Sequence, residues 1–265
     1  MEEKKNYKPI GVFDSGIGGL TVLKRLVNLR PDLDYIYFGD TKNLPYGEKT
    51  KEELLKITRG IFDFFEEKNV SSVVMACNTS SAQVYEELKD VYSFKLYPII
   101  QTASKCIAKD RSIKKIAIFA TNGTIKSGMY AKSLKFNNTG IETLEIACPE
   151  WVSIVEKKIK DTDKDDLLLK YLKPALEFNP DKIILGCTHY PYLLERLSKY
   201  APKAKFIDPA ETFSEFIAED ICTMGVGKTA KRGSRTYYVS ANPDEFIKNA
   251  SVFYNIETPV ELKSI

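Results

Sequence analysis

Short, continuously apolar runs rich in β-branched residues alternate along most of this chain with segments of helical periodicity. Residues 10–13, 35–38, 70–76, 95–99, 116–120, 141–147, 183–185, 206–208 and 236–240 read as strands, and most lack the apolar/polar alternation of a strand with one wet face. Such strands are buried on both sides. The clearest helix spans residues 51–67, with Leu54, Leu55, Thr58, Ile61, Phe62 and Phe65 on one stripe. This alternation predicts an α/β fold of mostly parallel sheets flanked by helices, and 265 residues suffice for one large or two modest domains.

Parallel sheets place ligands at the carboxyl ends of their strands. Polar clusters stand there: Asp14-Ser15-Gly16, Gly39-Asp40-Thr41, Cys77-Asn78-Thr79, Thr121-Asn122-Gly123-Thr124 and Cys187-Thr188-His189. If the two halves of the chain face each other, all five line one crevice. Two of them are copies of one device, an apolar run ending in a small residue, then a cysteine, then polar side chains, then a helical pattern. A lone buried cysteine is usually packing. Repetition, with amide, hydroxyl or imidazole groups following each thiol where a core position would continue apolar, points to chemistry, because backbone N–H groups at a helix start favour thiolate. His189 is the only histidine and sits two residues from Cys187, so one thiol at most has an imidazole partner. Asp14, at a neighbouring strand end, is the natural carboxylate for Cys77.

Two look-alike motifs fail. The turn 14–19 lacks the third glycine of a dinucleotide fingerprint, since Thr21 stands there, which leaves either an anion seat at a helix start or a tight turn using glycine for backbone freedom. Gly225-Val226-Gly227-Lys228-Thr229 contains the GKT of a phosphate loop but follows a helical pattern over 211–221, where that loop needs a strand. Nucleotide binding is rejected there. Net charge is +3 from 39 basic and 36 acidic residues, so no nucleic-acid partner is expected. The charged start, Met1 to Lys8, lacks the apolar core of a signal peptide, and no stretch approaches membrane-spanning length, so a cytoplasmic protein without membrane contact is expected. Five cysteines without a CxxC pair form neither a disulfide framework nor a zinc site, and no metal is expected.

The order and spacing of Gly11-Val12-Phe13-Asp14-Ser15-Gly16-Ile17-Gly18-Gly19-Leu20, Tyr37-Phe38-Gly39-Asp40-Thr41, Leu44-Pro45-Tyr46-Gly47, Ala76-Cys77-Asn78-Thr79-Ser80-Ser81-Ala82, Ala120-Thr121-Asn122-Gly123-Thr124 and Gly186-Cys187-Thr188-His189-Tyr190-Pro191 resemble those of bacterial glutamate racemases. These are cofactor-independent members of the aspartate/glutamate racemase superfamily, and the likeness covers about residues 10–220. The resemblance implies Cys77 and Cys187 as two catalytic thiols on opposite faces of glutamate, Asp14 as partner of Cys77, and His189 and Glu156 as partners near Cys187. An exposed Glu156 beside Lys157 and Lys158 is the competing reading. Ser15, Tyr46, Gly47, Asn78, Thr79, Thr121, Thr124 and Thr188 are implied substrate contacts, together with Asp14 and His189. Ser80 departs from the alanine more usual in the family. The resemblance further implies two pseudo-symmetric α/β domains, 1–98 plus 211–265 and 99–210, with the site in the crevice between them, no cofactor, a homodimer, and supply of D-glutamate for peptidoglycan.

Inverting an α-carbon without a cofactor means removing a proton from one face and delivering another to the opposite face, which explains two thiols. Alternatives are aspartate or another acidic amino acid as substrate, an amino-acid-binding module, and a cysteine hydrolase using Cys187 and His189. The last leaves Cys77 unexplained.

Overall fold

The computed structural model describes residues 7–156, 161–226, 228–251 and 254–265. Residues 1–6 of the charged start, Lys157 and Lys158, and Gly227 of the GKT segment lie outside them. The described strands are β1 (Ile10–Asp14), β2 (Tyr35–Gly39), β3 (Ser72–Met75), β4 (Lys95–Pro98), β5 (Lys115–Ala120), β6 (Glu142–Ala147), β7 (Lys182–Gly186), β8 (Phe206–Ile207), β9 (Arg235–Val239) and β10 (Val260–Leu262). They form two sheets, ordered β10-β9-β2-β1-β3-β4 and β6-β5-β7-β8, with every pairing parallel. The α/β class expected from the sequence is therefore the one found. Only β10 was not anticipated: three residues with a central glutamate, on a sheet edge, carry too little apolar pattern to register.

The segments β2-β1-β3-β4 and β6-β5-β7-β8 have the same order, so the two sheets repeat one topology. In each, the chain steps to one side after its first strand and to the other with its third. Such a reversal opens a crevice outside the carboxyl ends of the two central strands, because the connections leave in opposite directions there. In the first sheet those ends are Asp14 and Met75, just before Cys77; in the second they are Ala120 and Gly186, just before Thr121 and Cys187.

Side-chain alternation builds the layers. Val12, Tyr37 and Val74 of the first sheet and Ile116, Ile118 and Ile184 of the second belong to one core cluster. Helices Leu20–Leu29, Ile99–Ile107, Met129–Asn137 and Pro209–Thr223 contribute to that cluster, so they join the two sheets. The alternate residues face outward. Phe13, Phe38 and Met75 meet the Lys51–Glu67 and Asn78–Leu88 helices, while Ala117, Phe119 and Leu185 meet the Glu150–Val155 and Asp161–Glu177 helices. The predicted stripe on the 51–67 helix is the buried one, and the helix starts in a capping box in which the Thr50 hydroxyl accepts from Glu53 N–H and the Glu53 carboxylate accepts from Thr50 N–H at 2.8 Å.

Candidate active site

One cavity of about 260 Å³ opens where the two reversal points meet. That is below the ~300 Å³ at which drug-sized pockets begin, so it suits a small metabolite. Cys77 and Cys187 both line it, one from each sheet, with Ser15, Tyr46, Gly47, Asn78, Thr79, Thr121, Thr188, His189 and Glu156. The Gly39-Asp40-Thr41 cluster, expected on this wall, is not on it, and neither are two of the implied site residues. Asp14 is fully buried beneath it, and Thr124 stands one row back, its hydroxyl 3.1 Å from that of Thr121.

The turn after β1 differs from both readings of its glycines. Gly16, Gly18 and Gly19 all avoid positive φ, so backbone freedom is not what they supply. The anion held at the turn is the chain's own: Gly16 N–H donates to the Asp14 carboxylate at 3.0 Å. The glycines provide room. A Cβ on Gly19 would collide with Asp14, and one on Gly18 would fall on the Thr188 hydroxyl and on His189 Nδ1. Gly18 thus lets the first sheet's turn press directly against the second sheet's Cys187-Thr188-His189 turn.

On the opposite side the halves are joined by polar contacts. Hydroxyls of Thr79 and Thr121 lie 2.9 Å apart, Gln83 Nε2 donates to the Gly123 carbonyl at 2.9 Å, and Asn122 Nδ2 donates to the Glu48 carboxylate at 3.0 Å. The loop carrying Tyr46 and Gly47 is held from below by Asp40. Its carboxylate accepts from the Tyr46 and Ser240 hydroxyls, each at 2.5 Å, and from Asn43 Nδ2.

Cys77 is the N-cap residue of the Asn78–Leu88 helix. Burial and then the neighbouring Asp14 charge push its thiol up to about 11, against donation from the Ser80 N–H and the Ser80 and Ser15 hydroxyls. Burial likewise raises Asp14, opposed by the charge of His189 and by the N–H groups of Gly16, Gly19 and Ser15. The Cys187 side has other partners. His189 Nδ1 lies 3.9 Å from the Cys187 sulfur, and Nε2 lies 3.3 Å from Glu156 Oε1. Burial alone would discharge that imidazole, but its hydrogen bonds to Cys187 and Glu156, and their charges, carry it up to about 10. Glu156 is mostly buried, with 15% of its side chain exposed, so the exposed-glutamate reading does not hold.

Sequence reasoning missed Leu44, Pro45, Glu48, Pro149, Val152 and Ser153 on the wall. With Glu156, the last three recur at i, i+3, i+4 and i+7, one face of a helical turn, which is the signal that could have found them. Tyr190 sets that face against the cavity, its hydroxyl donating to the Cys148 carbonyl at 2.7 Å and its ring 5.1 Å from Trp151. Among the described residues no lysine or arginine lines the cavity, and no group of three or more His, Cys, Asp or Glu could hold a metal ion. No described helix is long and apolar enough to cross a membrane.

Residues 10–215 match the model of the Asp/Glu/Hydantoin racemase family. The chain belongs to that family. It is an isomerase of the racemase type, and its relatives narrow the comparison further. A glutamate racemase of Carboxydothermus hydrogenoformans is 42% identical over 92% of this chain and 91% of its own. One from Thermoanaerobacter sp. strain X514 is 37% identical over 93% of each. The crystal structure of the Francisella tularensis glutamate racemase in complex with D-glutamate superposes with a TM-score of 0.87, at 30% identity and 97% coverage of both chains.

Proposed function

We propose that this racemase interconverts L- and D-glutamate by a two-thiol proton transfer at the α-carbon, without pyridoxal phosphate or metal. The observation that carries the reading is one small cavity lined by two cysteines from the ends of topologically equivalent strands. Cys187 takes the α-proton of L-glutamate and Cys77 that of D-glutamate; in each case the other thiol delivers a proton to the opposite face.

A thiolate is a modest base for a weak carbon acid, so the charge that moves onto the substrate carboxylate must be stabilised. The donors supporting this are the Asn78 amide, the hydroxyls of Thr79, Thr121 and Thr188, and the N–H groups at the start of the Asn78–Leu88 helix. At neutral pH Cys77, pushed up to about 11, holds its proton, and His189, at about 10, holds its own. This arrangement suits L-glutamate arriving first: Cys77 is the loaded donor, and an imidazolium sits beside the thiol that must act as base. Asp14 serves Cys77 as its neighbouring charge, while Glu156 holds His189.

The same reading takes residues 1–98 plus 211–265 and 99–210 as two domains whose sheets flank the crevice. It extends to a cytoplasmic homodimer that supplies D-glutamate for peptidoglycan. The test is incubation with L-glutamate in deuterated water with no added pyridoxal phosphate or metal, followed by polarimetry and α-proton NMR. Rotation should vanish, early D-glutamate should carry α-deuterium, and unreacted L-glutamate should stay largely undeuterated. Product that keeps its original α-hydrogen, a requirement for pyridoxal phosphate, or equal turnover of aspartate would overturn the proposal.

A further inference from the structure

Tyr130, on the Met129–Asn137 helix, is fully buried, and nothing in the reaction as described above uses it. Its hydroxyl donates to Asn78 Oδ1 at 2.6 Å. Asn78 follows Cys77 directly and lines the cavity. Burial raises the Tyr130 phenol well above its ordinary range, so it remains a donor throughout the working pH range. The ring of Tyr130 lies against the other thiol-bearing strand: a Cβ on Gly186, the residue before Cys187, would come within 2.8 Å of Tyr130 Cε2. One side chain therefore meets the residue after Cys77 and the residue before Cys187.

We propose that Tyr130 is a positioning residue whose hydroxyl fixes the Asn78 amide with its nitrogen turned to the substrate carboxylate. The inference rests on the glutamate racemase reading. A primary amide is planar, with a donor on one arm and an acceptor on the other. With Oδ1 held by Tyr130, the NH₂ arm is the one left for the cavity. Unheld, the amide rotates freely between two orientations, and one of them presents a carbonyl oxygen to an anion. Since negative charge builds on the carboxylate as the α-proton leaves, a correctly turned amide matters more in the transition state than in the bound substrate. The effect falls mainly on kcat.

The experiment compares wild type, Tyr130→Phe, Asn78→Ala and the double variant in steady-state racemisation of glutamate, with thermal unfolding alongside. Tyr130→Phe keeps the ring against Gly186 and should melt near wild type, yet lose about tenfold in kcat/KM, chiefly through kcat. In the Asn78→Ala background the same change should cost less than twofold, because the group through which Tyr130 acts is gone. A loss under twofold in the single variant overturns the proposal. So does a full tenfold loss that persists without Asn78, which would mark Tyr130 as a packing residue alone. A wild type that does not racemise glutamate removes the underlying reading, whereas an active wild type with an unaffected Tyr130→Phe removes only this one.

Discussion

The two thiol sites grow from the same topology but differ in what surrounds them. Cys77 begins a regular helix, Asn78–Leu88, and has a buried carboxylate as its charged neighbour. Cys187 leads into a short 3₁₀ turn, Tyr190–Leu193, and has an imidazole backed by Glu156. A negative neighbour favours the protonated form of the Cys77 thiol. A repeated fold thus sets a carboxylate beside one cysteine and an imidazole beside the other. The sides are not insulated, since the His189 charge reaches Asp14.

Removing either sulfur gives the largest effect. Cys187→Ser should slow loss of the α-proton from L-glutamate, read as formation of α-deuterated D-glutamate, by about 10³-fold, within the usual span of a general base. Cys77→Ser should still let L-glutamate lose and regain its proton, giving exchange without inversion, because serine is a far poorer acid. NMR of the α-position in deuterated buffer distinguishes the two. Identical exchange in both variants would break the assignment of faces.

A smaller and sharper contrast comes from the neighbours. Free enantiomers have equal energy, so steady-state kcat/KM must stay equal in both directions, and isotope exchange is the direct report of a one-sided defect. Asp14→Asn should slow wash-in from D-glutamate more than from L-glutamate by about 10- to 100-fold, and His189→Asn should do the reverse. Equal losses would show that the neighbours act on the whole cavity rather than on one thiol each.

The smallest effect is on stability. A histidine raised from 6.5 to about 10 in the fold contributes stability that is complete below pH 6.5 and gone once pH passes 10. Melting temperature should therefore fall across that window in the wild type, more steeply than in His189→Asn. Glu156→Gln, which removes one of the groups holding the proton, should narrow the window. A wild-type slope no steeper than that of His189→Asn would mean the imidazole is not held protonated.

Much of this arrangement was legible in the sequence because it depends on order along the chain. Apolar runs marked nine of the described strands, and polar residues after β1, β3, β5 and β7, from Ser15 to Thr188, fell on the cavity wall as parallel-sheet geometry requires, whereas the Gly39-Asp40-Thr41 cluster after β2 did not. What could not be read depends on distance across the fold. The resemblance put His189 and Glu156 near Cys187, but that the two pair with each other across two elements could not be read. The reason for Gly18 is a side chain 170 positions away, Thr188, with His189 beside it, and the partner of Asn78 lies 52 positions on, at Tyr130. Asp14 illustrates the boundary: its place beside Cys77 was visible from strand ends, but its burial and its capture of the Gly16 N–H were not.

The hold of Ser240 on Asp40, and through it on Tyr46, gives the order of synthesis a catalytic meaning. β9 lies beside β2 in the first sheet, so β2 keeps an open edge until the ribosome has made Arg235–Val239. Both cysteines are translated before that. The loop bearing Tyr46 and Gly47 still lacks one of its anchors, and the nascent enzyme holds both its thiols before its pocket is braced.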